Sequence, residues 1–214
     1  MRLVNPQDQI RFIGGITTSR TELVDLIKAW LAISLAFGIF LSGSLFSFDI
    51  IFFIIASLTV GLGFVAHEMA HKVLAQKYGC KAEFRSWDKM LILAVIMTIF
   101  LKVIIIAPGA VMISGPVGRR RNGKISAAGA IANLIVATGF LSLALIPVTG
   151  TLFFIAQLGF TINIILALFN MIPFWLFDGK KVLAWNKAVY FVMLGVGIGF
   201  MIYGIKNGYF ILKI

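Results

Sequence analysis

The 214-residue sequence has one cysteine, two histidines, five prolines and eight acidic side chains. Each scarcity closes an option. The lone Cys80 can neither pair within the chain nor build a cysteine metal cluster. Charged residues make up 13% of the chain, about half the share of an ordinary soluble domain, while 60% are hydrophobic and the mean hydropathy is +1.02. A soluble globular domain is thereby excluded. The acids are outnumbered by 19 Lys and Arg, for a net charge of +11. No basic helix or repeated basic segment turns that excess into a nucleic-acid footprint, and no nucleotide-binding motif is evident. The opening residues, with Arg2, Asn5, Pro6, Asp8 and Arg11, lack the apolar core of a cleavable signal, so the first membrane helix is expected to do the targeting.

What is present is a series of apolar runs, several of them near the roughly 20 helical residues that cross a bilayer. Ser19-Arg20-Thr21-Glu22 fits a capping box, so a helix is predicted to start near Thr21 and to run into the uncharged stretch Ala29 to Phe46. Ile50 to Ala75 forms a second span, followed by a basic connector from Lys77 to Lys89 and an apolar stretch from Met90 to Ile106 that Lys102 interrupts. Arg119 to Lys124 reads as a basic loop. The uncharged stretch Ile125 to Phe177 is cut into two spans by the turn Pro147-Val148-Thr149-Gly150. Asp178-Gly179-Lys180-Lys181 is a polar break, and Ala188 to Ile205 is the last span. The fold class is an all-α polytopic membrane protein with five to six transmembrane helices. Residues 1–28 form a cytosolic N-terminal segment, 29–205 one membrane-embedded domain and 206–214 a C-terminal tail.

Basic residues stay in the cytosol. Lys77, Lys81, Arg85, Lys89, Arg119, Arg120, Arg121, Lys124, Lys180, Lys181 and Lys187 therefore fix the orientation, and the links at 47–49 and 147–150, which lack Lys and Arg, are external. Were Met90 to Ile106 a full crossing, the basic clusters on its two flanks would face opposite sides. It is therefore read as a re-entrant segment, a helix followed by an extended return from Ile106 to Ser114. All four Trp, at 30, 87, 175 and 185, are then expected near the cytosolic interface.

The two histidines stand four apart, in His67-Glu68-Met69-Ala70-His71. On a helix that spacing puts both imidazoles on one face with a carboxylate beside them, the zinc pattern His-Glu-x-x-His. His67 lies about 15 Å along the helix from Lys77, toward the middle of the membrane, where ionisable groups are costly and functional. Catalytic zinc takes three protein ligands and an open water position. Asp178 is the candidate third ligand: it closes the long uncharged segment just after Pro173, which loosens the backbone and lets the carboxylate turn inward. A shared depth for His67, His71 and Asp178 requires an even number of crossings between them, which agrees with the re-entrant reading. One Zn²⁺ per chain is the expected cofactor, with Glu68 taking a proton from the metal-bound water.

His67-Glu68-x-x-His71 on a membrane helix, followed by Asn170-x-x-Pro173-x-x-x-x-Asp178-Gly179, resembles the site-2 protease family of intramembrane zinc metalloproteases. The resemblance covers the core from about 50 to 179. It includes Ala128-Gly129-Ala130-Ile131-Ala132-Asn133, similar to the family's Ala-Gly-Pro-x-x-Asn with Ala130 in place of Pro. Leu176-Phe177 stands where the family commonly has Pro-Leu. The resemblance implies a three-helix metalloprotease core, an active site open to the cytosol, and hydrolysis of peptide bonds within transmembrane segments of other proteins. It also implies that Asn170 hydrogen-bonds the substrate or the developing oxyanion. Partners are then a transmembrane protein substrate and the lipid bilayer. Asn133 reads chiefly as a hydrogen-bonding bridge between helices, Gly195 and Gly199 as a small-residue face for helix contact, and Lys102 as reaching for the interface. The alternative from another class is a transporter or channel-like protein with His67, Glu68, His71 and Asp178 as an ion pathway. The inverted repeats and matching broken helices that would support it are not evident.

Overall fold

The structure, a computed structural model, describes residues 9–11, 15–43, 49–102, 109–174 and 177–211. Strand β1 (Gln9–Arg11) pairs antiparallel with β2 (Thr17–Ser19), which leads directly into helix α1 (Arg20–Ser42). The Ser19 side chain accepts from the Glu22 backbone N–H, so the capping residue is the expected one. The helix begins well inside the segment assigned to the cytosol by its charges. It ends at Gly43, whose φ of +70° suits a residue without a Cβ.

Helix α2 (Ile50–Ala56), a π turn (Ser57–Gly61) and α3 (Leu62–Lys77) run as one span. A π turn loosens the backbone ladder and leaves carbonyls that need donors from outside. The Trp30 indole N–H reaches the Ser57 carbonyl at 3.2 Å. Trp30 is thus packed against the π turn. Trp87 and Trp185 lie at element ends, and Trp175 falls outside the described residues.

The segment read as a basic connector contains strand β3 (Lys81–Ser86), which pairs with β4 (Gly109–Ser114), Ser86 opposite Gly109 and Lys81 opposite Ser114. Ala82 and Phe84 are buried while their neighbours alternate outward. Between the strands, α4 (Asp88–Leu101) lies along α1: Lys28 bonds Asp88 at 2.8 Å at one end, and Lys102 bonds the Gly43 carbonyl at 3.1 Å at the other. The chain that leaves along α4 thus returns to the point it left, as the re-entrant reading expects. The helix is shorter than the apolar run, and the part of the return at 106–108 lies outside the described residues. Lys102, in a left-handed conformation (φ 50°), sits at the far end of α1.

Helices α5 (Arg119–Leu145), α6 (Gly150–Asn170), α7 (Asp178–Trp185) and α8 (Lys187–Lys206) complete the bundle. Arg119 to Lys124 and Asp178 to Lys181, expected as a loop and a break, are the first turns of α5 and α7. Among the described residues five helices are long and apolar enough to span a membrane: α1, the α2–α3 helix, α5, α6 and α8. The protein is an all-α polytopic membrane protein with two small two-stranded sheets at its basic end. α5 packs on α3, α6 and α7. Arg121 stands 5.6 Å over the Tyr78 ring, and Arg119 bonds the Ala184 carbonyl, so the basic ends of α3, α5 and α7 meet. On α8 it is Gly197 and Gly204 that lie against Leu168 and Phe160. Among the described residues Gly195 and Gly199 have nothing within 4 Å of where a Cβ would stand, so the contact expected through them is not made there.

A buried ionic clamp ties the basic end together. Glu22, fully buried, accepts from Lys72 at 2.5 Å, Thr18 at 2.7 Å and the Phe84 backbone N–H at 2.9 Å. It joins α1, α3, β2 and β3. The Gln76 amide adds a second tie, bonding Thr17 through both backbone groups and Ala82 through its carbonyl.

Candidate metal centre

His67 and His71 share one face of α3, and the start of α7 brings Asp178 over them. All three are buried. The His71 Nε2 lies 3.0 Å from the His67 Nε2 and 2.9 Å from the Asp178 Oδ2, with His67 Nε2 at 3.5 Å from the same oxygen. The other ring nitrogens are committed. His67 Nδ1 bonds the Asn133 Oδ1 at 2.7 Å and His71 Nδ1 bonds the Ile125 carbonyl at 2.8 Å. Both acceptors lack a proton, so each Nδ1 carries one, and in the neutral rings both Nε2 lone pairs are bare. Two lone pairs and a carboxylate oxygen converge with no proton among them. Such a group repels itself until a cation enters, and two imidazoles with one carboxylate suit one zinc ion.

Space for the ion depends on two glycines. A Cβ on Gly129 of α5 would stand 2.5 Å from His71 Nε2 and 2.6 Å from His67 Cε1, so a side chain there would fill the ligand gap. A Cβ on Gly179 would stand 2.1 Å from the Met171 carbonyl oxygen, and its absence lets α7 start close enough to α6 for Asp178 to reach α3. The second Asp178 oxygen meets Lys181 at 3.2 Å.

Glu68 lines the same cavity, of about 220 Å³, together with Phe64, Val111, Asn170 and Phe177, while Trp87, Asn122 and Lys181 also border it. Its carboxylate stands beside the Val111 backbone. The register explains this contact. Phe84 spends its N–H on Glu22, so the Phe84–Val111 pair is a non-hydrogen-bonded one and the Val111 backbone groups face away from β3. By alternation Gly109 and Ile113 do the same. The outer edge of β4 is turned to the cavity.

Asn170 also lines the cavity, with its Nδ2 bonded to the Leu166 carbonyl at 2.9 Å one turn back. The bridging read for Asn133 is made, to the Gly63 carbonyl and to Asn163, each at 3.0 Å. Its bond to His67 was not foreseen, and neither was Asn163. An amide in the apolar interior of a membrane helix was the available signal for both.

A buried His/His/Asp donor set inside a bundle of five candidate spans defines a membrane metalloprotein. Over 187 residues the chain is 41% identical to a protein of Methanocaldococcus jannaschii named "Putative zinc metalloprotease", a match that covers 86% of this chain and 95% of that one. The chain belongs to that protein's family of zinc metalloproteases. No family model and no solved structure matches the chain.

Proposed function

We propose that the protein is an intramembrane zinc endopeptidase of the site-2 type, hydrolysing peptide bonds within or near transmembrane segments of membrane proteins, with its active site open to the cytosol. The observation that carries this reading is the position of the donor set. His67, His71 and Asp178 converge inside the bundle, about 15 Å along α3 from Lys77, where a soluble substrate has no business. The cytosolic opening is supported by the basic residues gathered at the end of the bundle nearest the cavity.

His67, His71 and Asp178 are read as the ligands. Bound between them, zinc would supply a Lewis acid and a water acidified toward neutral pH. Glu68 is not a ligand in this reading. It takes the proton of the attacking water and passes it to the leaving amine, beside the Val111 backbone. Asn170 keeps one amide proton free to donate to the substrate backbone or the developing oxyanion.

A helix about 10 Å across cannot enter a cavity of about 220 Å³, so the substrate must unwind locally. Unwinding in lipid exposes peptide groups that need partners. The outer edge of β4, with the Val111 backbone beside Glu68, offers them by strand addition. The test is cleavage of a model membrane substrate by purified protein. Activity is expected in the wild type and lost in Glu68→Ala and on chelation of zinc; equal behaviour of all three would refute the protease.

A further inference from the structure

Two amides stand behind the candidate metal centre, Asn133 on α5 and Asn163 on α6, both fully buried. Backbone carbonyls only accept hydrogen bonds, and that fixes which way each amide points. The Asn163 Nδ2 donates to the Gly159 carbonyl at 2.8 Å and faces the Thr59 carbonyl, in the π turn, at 3.4 Å. Its Oδ1 is thereby turned to Asn133, whose Nδ2 donates to that oxygen and to the Gly63 carbonyl. Both Asn133 amide protons are then spent, and only its Oδ1 is left to face His67. The close approach depends on α3 having no side chain at this point, because a Cβ on Gly63 would stand 2.2 Å from the Asn163 Oδ1.

We propose that Asn163, which makes no contact with the candidate ligands, is a positioning residue for the metal centre: with the Gly63 carbonyl it locks the Asn133 amide, which holds His67 as the Nδ1–H tautomer with Nε2 bare toward His71 and Asp178. The proposal rests on the zinc reading of this site. The relay runs from the π turn through α6 and α5 to α3, so three helices must be in register before His67 can serve as a ligand. Neutral amides suit the place, since an acid in the same position would bring a charge into the apolar interior. His71 offers an internal control. Its Nδ1 is held by the Ile125 carbonyl directly, and no side chain intervenes.

The chain has only two histidines, so selective ¹⁵N-histidine labelling reports two rings. In zinc-free protein at about pH 9, well above the ordinary histidine pKa of about 6.5, both rings are expected as Nδ1–H tautomers. In Asn163→Leu the His67 ring is expected to become a mixture in which Nε2–H appears, while His71 keeps its tautomer. Zinc affinity, measured by competition with a chelator, is expected to fall about tenfold. Asn133→Leu should do the same, and the double variant should lose no more than Asn133→Leu alone, as groups acting through one path do. An unchanged His67 in Asn163→Leu would overturn the proposal. So would an equal change at both rings, which marks general disruption of the bundle. Wild-type protein that holds Nδ1–H at both rings yet binds no zinc would contradict the zinc reading and leave the tautomer lock standing, so the two failures are told apart.

Discussion

Two of the buried polar networks among the described residues are built from different chemistry. At the basic end, Glu22, Lys72 and Thr18 form an ionic clamp that holds β3 through the Phe84 N–H. Deeper in the bundle, Asn133 and Asn163 form a neutral one that holds His67. The difference follows depth. A charged pair can be matched where backbone ends, strands and water are near, whereas in the hydrocarbon region an unmatched charge costs several kcal/mol and an amide far less. Each network braces one half of the proposed chemistry: the clamp braces the strand that would take the substrate, and the amides brace a ligand.

Breaking the clamp has the largest expected effect on stability. Glu22→Ala would leave the Lys72 ammonium, 2% exposed, without its carboxylate, at a cost of about 3–5 kcal/mol. The thermal midpoint in detergent is the measurement, and a fall is expected together with lost cleavage. Zinc affinity in Glu22→Ala should change less than in Asn163→Leu; the reverse order would mean that the two networks do not divide the work as described.

A smaller and more selective effect is expected at Val111. Its backbone N–H faces away from β3, on the side of Glu68, so Val111→Pro removes it without breaking a bond between the two strands. Cleavage should fall at least about tenfold, equivalent to about 1.4 kcal/mol in the barrier, with zinc content unchanged. Equal loss of both would show that β4 supports the metal site and has no separate part in holding substrate.

The spans, the two-histidine face and the candidate third ligand were legible because hydropathy, helical spacing and the rarity of acids in this chain are local signals. Charge placement gave the re-entrant reading of 89–114, and the pairing of Ser86 with Gly109 has the geometry that this reading requires. Strand β3 carried a signal that its charges obscured: Lys81, Glu83 and Arg85 alternate with the buried Ala82 and Phe84. The π turn was not read from the sequence, although Ser57, Thr59 and Gly61 set it off from the apolar residues before it, and so the packing of Trp30 against it was not read either. Gly195 and Gly199 had the spacing of a contact face, but the face of α8 that packs carries Gly197 and Gly204. Spacing names a face without saying which neighbour it meets. Asn163 was hidden for a similar reason, as its partners Thr59 and Asn133 are distant in sequence and meet only in the folded bundle.

The central claim is that His67, His71 and Asp178 form a zinc centre to which Glu68 contributes a proton acceptor and no ligand. Zinc content per chain, measured by elemental analysis on purified Asp178→Ala and Glu68→Gln beside the wild type, tests it most directly. The account predicts about one zinc in the wild type and in the inactive Glu68→Gln, and little in Asp178→Ala. Full occupancy in Asp178→Ala, or loss of zinc in Glu68→Gln, would contradict it.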